Sequence, residues 1–568
     1  MGQRLGCLLQ DAKTRVQASL AKDDIRQPTS SGGRGGRQFR DHDELRYSLR
    51  SVLSNFRPYL GRYHLLTTDF AMPDTVENLT APADYRLGQV PQWLDVDKRP
   101  WSDNHVQLSI KHHAQVFHPY DDNVFNSYAI ESQFGHLDDI SENFIYMNDD
   151  FFLLRRLTPR SFYTSAYGPV LRMQSDLLVA PTQYRNNVKG EWRSLASSNR
   201  LLSDRFGVRH RPYVTHEAKS ASLPLLHEMS QIWEAQFAAT ATHPFRETRI
   251  ALGNADPSVM YMLVHFTIER WREALLWSWA VAKHGTTTDR WSPEAMAAAW
   301  TELGGAPGEY GRLGVYAGRR GTVDPDRVSA SLRASGHKQA DGTVYDFSSL
   351  DGYPYINFSP SGGPKRNKWP RYTHDVDEKD LLQCSLDYDK CFVDAEHKPF
   401  THASEVFKNI AFREAQCGDC ITLALLKASG ELGLEAFLPP SDRVVSFDAG
   451  GFAPEDIDPV AHLPLNDRWE DGEFALSDVL RGTKHANVRG WTLRLLERYR
   501  FVIGSTPGHF AMISGPSALN GMVAHLKKNP DVALLCVNDD ITVDDDKVTA
   551  LFKNWASDHW GTPAQWEQ

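Results

Sequence analysis

Apolar positions recur along this chain with periods that predict a series of short elements. Leu45, Leu49 and Val52, spaced by four and three, mark one face of a helix that begins near Asp41, where Asp41 followed by Glu44 three residues on makes a capping-box-like start. Tyr63 to Thr68 and Val106 to Ile110 read as strands, and Phe125 leads a helix that runs through Ile140. Phe144 to Leu153 is an apolar strand-like run broken by Asn148-Asp149-Asp150. Helical patterns follow over Ser194 to Phe206, Leu223 to Ala239 and Val259 to Lys283. The last carries a stripe of Met262, Phe266, Trp271, Leu275 and Trp279 whose simplest role is core. After a helix from Ile421 to Ala428, Arg500 to Pro507 and Val532 to Asp540 are strand-like, and the second again ends in Asn538-Asp539-Asp540. Strands alternating with helices predict an α/β fold, and place Asp149 and Asp150 at the carboxyl end of a strand, where open α/β sheets bind ligands.

Composition divides the chain further. Residues 1–36 read as a short helix, Gly6 to Ala21, and a flexible linker rich in Gly and Ser. Residues 37–303 form the main region, 304–440 a loop-rich insertion with a cysteine cluster, and 441–568 a C-terminal part that completes the main region. A net charge of −10 and a pI near 6.1 leave no basic footprint for nucleic acid. The longest apolar stretches, such as Ala274 to Ala282, fall short of the roughly 18 residues of a membrane span, and no secretory signal is visible at the start. Cys384, Cys391, Cys417 and Cys420 form either two disulfides or one zinc site. The sequon Asn78-Leu79-Thr80, which suits an oxidising lumen, tilts the choice towards disulfides.

Paired carboxylates at a strand end call for a partner, and the usual one is a hard divalent cation, Mg²⁺ or Mn²⁺, that bridges oxygen ligands to phosphates. Two strands ending in Asn-Asp-Asp, if parallel neighbours, would bring such ligands together from opposite ends of the chain; the plainer alternative is a pair of Asx-turns. His216 suits a base or a phosphate ligand, or simply a hydrogen-bonded histidine. Arg246 and Arg249 compete as a phosphate-binding arginine. Arg46 and Arg50, four apart, form either a solvated stripe or a phosphate-facing pair. Walker, Gly-x-Ser-x-Gly and His-Glu-x-x-His patterns are absent from the sequence.

Together, Asp41 to Ser51, Ala129-Ile130-Glu131-Ser132 and Phe144 to Asp150 resemble the second block of the Stealth family of sugar-1-phosphate transferases. The third block is recognisable around His216 and Phe245-Arg246, and the fourth in Cys536-Val537-Asn538-Asp539, in wording closest to fungal members. The family's first block, an Asp-x-Val-Tyr-Thr-Trp-like strand, has no match between Met1 and Gly36, as expected of a truncated chain, and Gly135-His136 stands where relatives often have His-Arg. The resemblance implies a Rossmann-like or GT-A-like mixed sheet flanked by helices. It also implies a Golgi location, and transfer of a sugar-1-phosphate, of N-acetylglucosamine or xylose type, from a UDP-sugar to a mannose-containing glycan or glycoprotein, with release of UMP. Under it, Asp149, Asp150, Asn538 and Asp539 hold Mg²⁺ or Mn²⁺. Arg246 meets phosphate charge, His216 activates the acceptor or binds phosphate, and Asp149 and Glu131 join the catalytic set. Arg46, Arg50 and Asn148 are further contacts to the donor, and a homodimer is a possible assembly. The alternatives are a metal-dependent glycosyltransferase attacking the anomeric carbon, and an inactive, truncated binding protein.

Overall fold

The computed structural model describes residues 41–71, 86–120, 123–181, 191–244, 246, 255–316, 330, 334, 342–357, 383–430, 433–446, 460–481 and 486–568. The expected helix Gly6 to Ala21 with its linker, the sequon at Asn78, Arg249 and the Ser359 to Pro364 run lie outside them. Helix α1 (Glu44–Asn55) buries Leu49 and Val52, but its start differs from a capping box. The cap is Asp43, at φ 67°, while Asp41 and Glu44 accept from the backbone N–H groups of Asp43 and His42 at 2.8 and 2.7 Å. The two acids therefore stabilise the turn ahead of the helix. Strands β1 (Arg62–Thr67) and β2 (Gln107–His112) pair in parallel.

Helix α2 (Ser127–Ser132) is shorter than its pattern predicts and tightens into a 3₁₀ turn over Phe134–His136. There the chain presses on a neighbouring helix: a Cβ at Gly135 would lie 3.0 Å from the Leu226 carbonyl oxygen. The Phe144 to Leu153 run becomes two strands, β3 (Asn143–Tyr146) and β4 (Phe151–Leu153), in different sheets, because the polar Asn148-Asp149-Asp150 turn separates them. Next come β5 (Gly168–Leu171), β6 (Met173–Val179), α3 (Glu191–Phe206), β7 (Arg211–Val214) and β8 (Lys219–Ser222). The predicted helix from Leu223 is two, α4 (Leu223–Ile232) and α5 (Glu234–Ala241), split at Trp233.

Helix α6 (Val259–Trp277) is the axis of the largest core. The stripe Met262, Phe266, Trp271 and Leu275, with Trp279 in the π-helical turns Ser278–His284 that continue it, is buried as expected, yet so is every other residue of α6. It is therefore enclosed on all sides and not amphipathic, which is possible because its charges are paired. Glu269 meets Arg211 at 2.7 Å, Glu273 meets Arg205 at 2.7 Å, and Arg272 meets Asp419 at 2.7 Å.

The 304–440 segment is woven into this same core. Strand β9 (Arg312–Tyr316), β10 (Val344–Ser348) and β11 (Gln383–Asp387) precede α7 (Ala415–Ser429). β9 pairs antiparallel with β11, and β10 joins β12 (Val502–Ser505) in a four-stranded sheet with β5 and the short strand Tyr163–Thr164. Cys384–Cys420 and Cys391–Cys417 are disulfides, which settles the choice against zinc.

The chain's last part supplies β13 (Gly508–Ile513), α8 (Pro516–Lys528), β14 (Leu534–Asp539) and α9 (Asp545–Trp560). β14 sits between β13, its parallel neighbour, and β4, which runs antiparallel with Phe151 opposite Cys536. The two Asn-Asp-Asp segments thus meet, but not as the parallel neighbours the sequence suggested: one precedes its strand and the other ends its own. Among the described residues the strands form eight sheets of at most four strands and no closed barrel. The fold is mixed α/β, as expected. Polar turns such as the one at Asn148 interrupt the apolar runs, and the strands fall into small sheets.

Candidate functional site

The meeting of β4 and β14 opens onto a cleft of about 2190 Å³, lined from α1, β1, α2, β3, β8, β13 and β14. The backbone N–H of Val537 donates to the Asp150 carbonyl at 3.0 Å, which ties the first Asn-Asp-Asp turn to β14 just before Asn538 and Asp539. Asp150 Oδ2 accepts from the Cys536 thiol at 3.3 Å and lies 3.7 Å from His216 Nε2. Asp150 Oδ1 is buried without a hydrogen-bond partner. His216 stands between β7 and β8, its ring edge-on to Phe151 at 5.0 Å and to Phe510 at 5.8 Å. The aromatic pair holds the imidazole by packing, and His216 lines the cleft.

A second group forms behind β3. Tyr146 is opposite Lys219 in the β3–β8 ladder, and its hydroxyl lies between Glu131, at 3.0 Å, and Asn148. Glu131 also accepts from the Met260 N–H at 3.3 Å, so α2 and α6 both hold it. Arg246 donates to Ser127 Oγ at 2.7 Å and lies over the Tyr128 ring at 4.5 Å. Lys219 donates to the Glu217 carbonyl at 2.9 Å and lies 5.2 Å from the Phe151 ring centre.

The field in this cleft is unusual. Desolvation at the cleft floor, reinforced by the Asp150 charge, pushes the Asp149 carboxyl up to about 6. Burial, with a contribution from the Asp149 charge, raises Glu44 to about 7. Burial also raises Glu131 and lowers Lys219. Crowded acids whose ionisation is resisted mark a place prepared for positive charge. His42 answers part of that need: its Nε2 lies 3.5 Å from Asp539, and its pKa is raised first by that contact.

Most of the sequence-predicted residues converge. Asn148, Asp149, Asp150, Glu131, His216, Arg246, Asn538, Asp539 and Arg46 all line the one cleft. Arg50 does not. It is buried against Glu567, with Nε and Nη2 donating at 2.9 and 2.5 Å, and Arg46 donates to the same carboxylate at 2.6 Å. The pair is therefore neither a solvated stripe nor a pair of free phosphate ligands: it clamps α1 to the chain's last residues. Sequence reading missed Lys219, Tyr146, Cys536, Glu44 and His42. A signal existed for Cys536, which shares β14 with Asn538 and Asp539, and for Tyr146, which bonds Asn148 two residues on, whereas His42 and Lys219 become site residues only through tertiary contact.

Comparison with known proteins assigns these residues to recognised regions. Residues 86–171 match Stealth protein CR2, conserved region 2, and residues 215–269 match Stealth protein CR3, conserved region 3. The first holds Glu131 and Asn148 to Asp150, the second His216, Lys219 and Arg246; α1 and β14 lie outside both. The chain is 28% identical, over 94% of its length and 73% of the relative's, to the 3-O-alpha-D-mannopyranosyl-alpha-D-mannopyranose xylosylphosphotransferase of Cryptococcus neoformans var. neoformans serotype D. It is 28% identical to an exopolysaccharide phosphotransferase of Streptomyces coelicolor over 42% of this chain and 22% of that protein. For an exopolysaccharide phosphotransferase of Nocardia farcinica the figures are 30%, 40% and 38%. The resemblance to Stealth phosphotransferases read from the motifs is upheld.

Proposed function

We propose that this chain, which carries the second and third conserved regions of the Stealth proteins, moves a sugar-1-phosphate from a nucleotide diphosphate sugar to a hydroxyl of a mannose-containing glycan. The nucleotide leaves as a monophosphate, UMP if the donor is a UDP-sugar. One observation carries the reading: Asp150, His216 and the end of β14 meet in a large, acid-lined cleft, although the Asp150–Cys536 contact joins residues 386 apart. The parallel pairs β1–β2 and β13–β14 support a nucleotide-binding, Rossmann-like or GT-A-like arrangement around it.

The donor set fits a hard divalent cation. Asp150 Oδ1 is buried and unpartnered, and Asp149, Asn538 and Asp539 add oxygen atoms to the same cleft. When bound there, Mg²⁺ or Mn²⁺ would neutralise diphosphate charge and stabilise the leaving monophosphate. The chain's own residues do the rest. Arg246, oriented by Ser127 and Tyr128, offers a guanidinium to phosphate oxygens. His216, held by Phe151 and Phe510, accepts the acceptor-hydroxyl proton as that oxygen attacks phosphorus, and the Asp150 carboxylate at 3.7 Å stabilises the resulting imidazolium. Glu131 and Tyr146 keep Asn148 and its turn in place. The two disulfides favour an oxidising compartment, as a Golgi lumen would provide.

Incubating the chain with UDP-xylose or UDP-N-acetylglucosamine, Mn²⁺ and a mannobioside should release UMP and give a phosphodiester. Release of UDP with a glycosidic product would assign the chemistry to a glycosyltransferase. Asp149→Ala, Asp150→Ala and His216→Ala should each abolish transfer, by about 10³-fold or more, with unchanged circular dichroism. Activity close to wild type in the folded His216→Ala protein would remove the histidine from the mechanism.

A further inference from the structure

We propose that Asp150, His216 and Cys536 form a binding site for a thiophilic divalent cation of the zinc class, and that its occupancy stops transfer. The three side chains come from the β3–β4 turn, the β7–β8 turn and β14, and each offers one ligand atom within 4.8 Å of the others. Sulfur to Oδ2 is 3.3 Å and Oδ2 to Nε2 is 3.7 Å. A tetrahedral zinc site with one sulfur, one nitrogen and one oxygen has edges of roughly 3.3–3.6 Å, so the longest edge here closes by at most about 1.2 Å. Asp150 and His216 line the cleft while Cys536 is buried, so an ion would be reached from the side of the first two, and a Cys-His-carboxylate set selects zinc-class over magnesium-class ions. The unpartnered Asp150 Oδ1 marks the same carboxylate as incompletely satisfied. The Lys219 ammonium, which faces this corner, is drawn onto the Glu217 carbonyl at 2.9 Å.

Loading releases one proton: the Cys536 S–H bond that donates to Asp150 breaks, the proton leaves to buffer, and sulfur binds the metal. The blocking half rests on the proposed transferase reading, since the ion takes His216 and Asp150 out of that reaction. The binding half does not.

The test uses the full chain carrying Cys7→Ser, which leaves Cys536 as the one cysteine outside the two disulfides. Metal-free protein is titrated with Cd²⁺ while the near-ultraviolet thiolate-to-metal absorption is read. The band should saturate at one Cd²⁺ per chain, yield to Zn²⁺, and vanish in Cys7→Ser/Cys536→Ser. In Cys7→Ser/His216→Ala the half-saturation should rise by roughly tenfold or more. A band that survives Cys536→Ser, or an affinity indifferent to His216→Ala, overturns the site. Because cadmium absorption needs no turnover, a protein that shows the band but never releases UMP upholds the site while refuting the transferase. In an active preparation with excess Mg²⁺, Zn²⁺ should suppress UMP release until a chelator is added. A saturated band with undiminished release overturns the blocking half.

Discussion

At the scale of single residues, the site depends on how charge is balanced in a confined space. Lys219 was invisible as a candidate in the sequence, yet it is a half-buried cation facing a cleft that holds Asp149, Asp150 and Glu131. Burial lowers its pKa, and the neighbouring Glu217 and Glu131 carboxylates work against that. Such a group is placed to meet charge on a donor phosphate. Lys219→Met keeps the stem over Phe151 and removes the charge. It should lower kcat/KM for UMP release by about 10²-fold, with most of the loss in kcat if the contact strengthens as the leaving group departs. A change confined to thermal stability would show Lys219 to be structural.

At the scale of elements, the most informative one is α6. Its apolar stripe was legible because a 3.6-residue period needs only the sequence; its complete enclosure was not, because the partners that allow Glu269, Arg270, Arg272 and Glu273 to be buried lie far away in the chain. Asp419 on α7 shows what that enclosure requires. It accepts from Arg209 at 3.0 and 3.3 Å and from Arg272 at 2.7 Å. Burial works to raise this carboxyl, but the two guanidinium charges outweigh it and hold it below the usual range. Its stability contribution is therefore fully present above pH about 4 and lost only in stronger acid. Asp419→Asn leaves the buried Arg272 without its counter-charge and Arg209 with only the 3.6 Å contact to Glu269, and should cost about 3–5 kcal/mol, read from urea unfolding at pH 7. The same limit explains the site itself. The Asn-Asp-Asp turn and its echo were readable as strand ends, whereas their antiparallel meeting and the diversion of Arg50 to Glu567 depend on contacts across 386 and 517 residues of chain.

At the scale of the whole molecule, the cysteine region and the cleft belong to one body joined by the largest core. The two disulfides close intervals of 36 and 26 residues and pin β11 and the segment after it to α7, whose Asp419 secures α6. Removing both by reduction should lower stability by about 2–4 kcal/mol for each bridge, seen as a fall in the thermal midpoint on adding dithiothreitol, with UMP release lost at a lower temperature. A midpoint unmoved by full reduction would show that α7 needs no covalent restraint.

The hydrogen bond from Val537 to Asp150 also has a consequence for the order in which the molecule comes into being. On the ribosome, Asp150 is made several hundred residues before the strand that completes its surroundings. The nascent chain therefore carries an unfinished edge at β4 throughout most of its synthesis, and pairings so distant in sequence close slowly. The cleft as described is complete only once β14 has paired with both β4 and β13. Until then Asp150 lacks the β14 contacts that surround it in the finished protein.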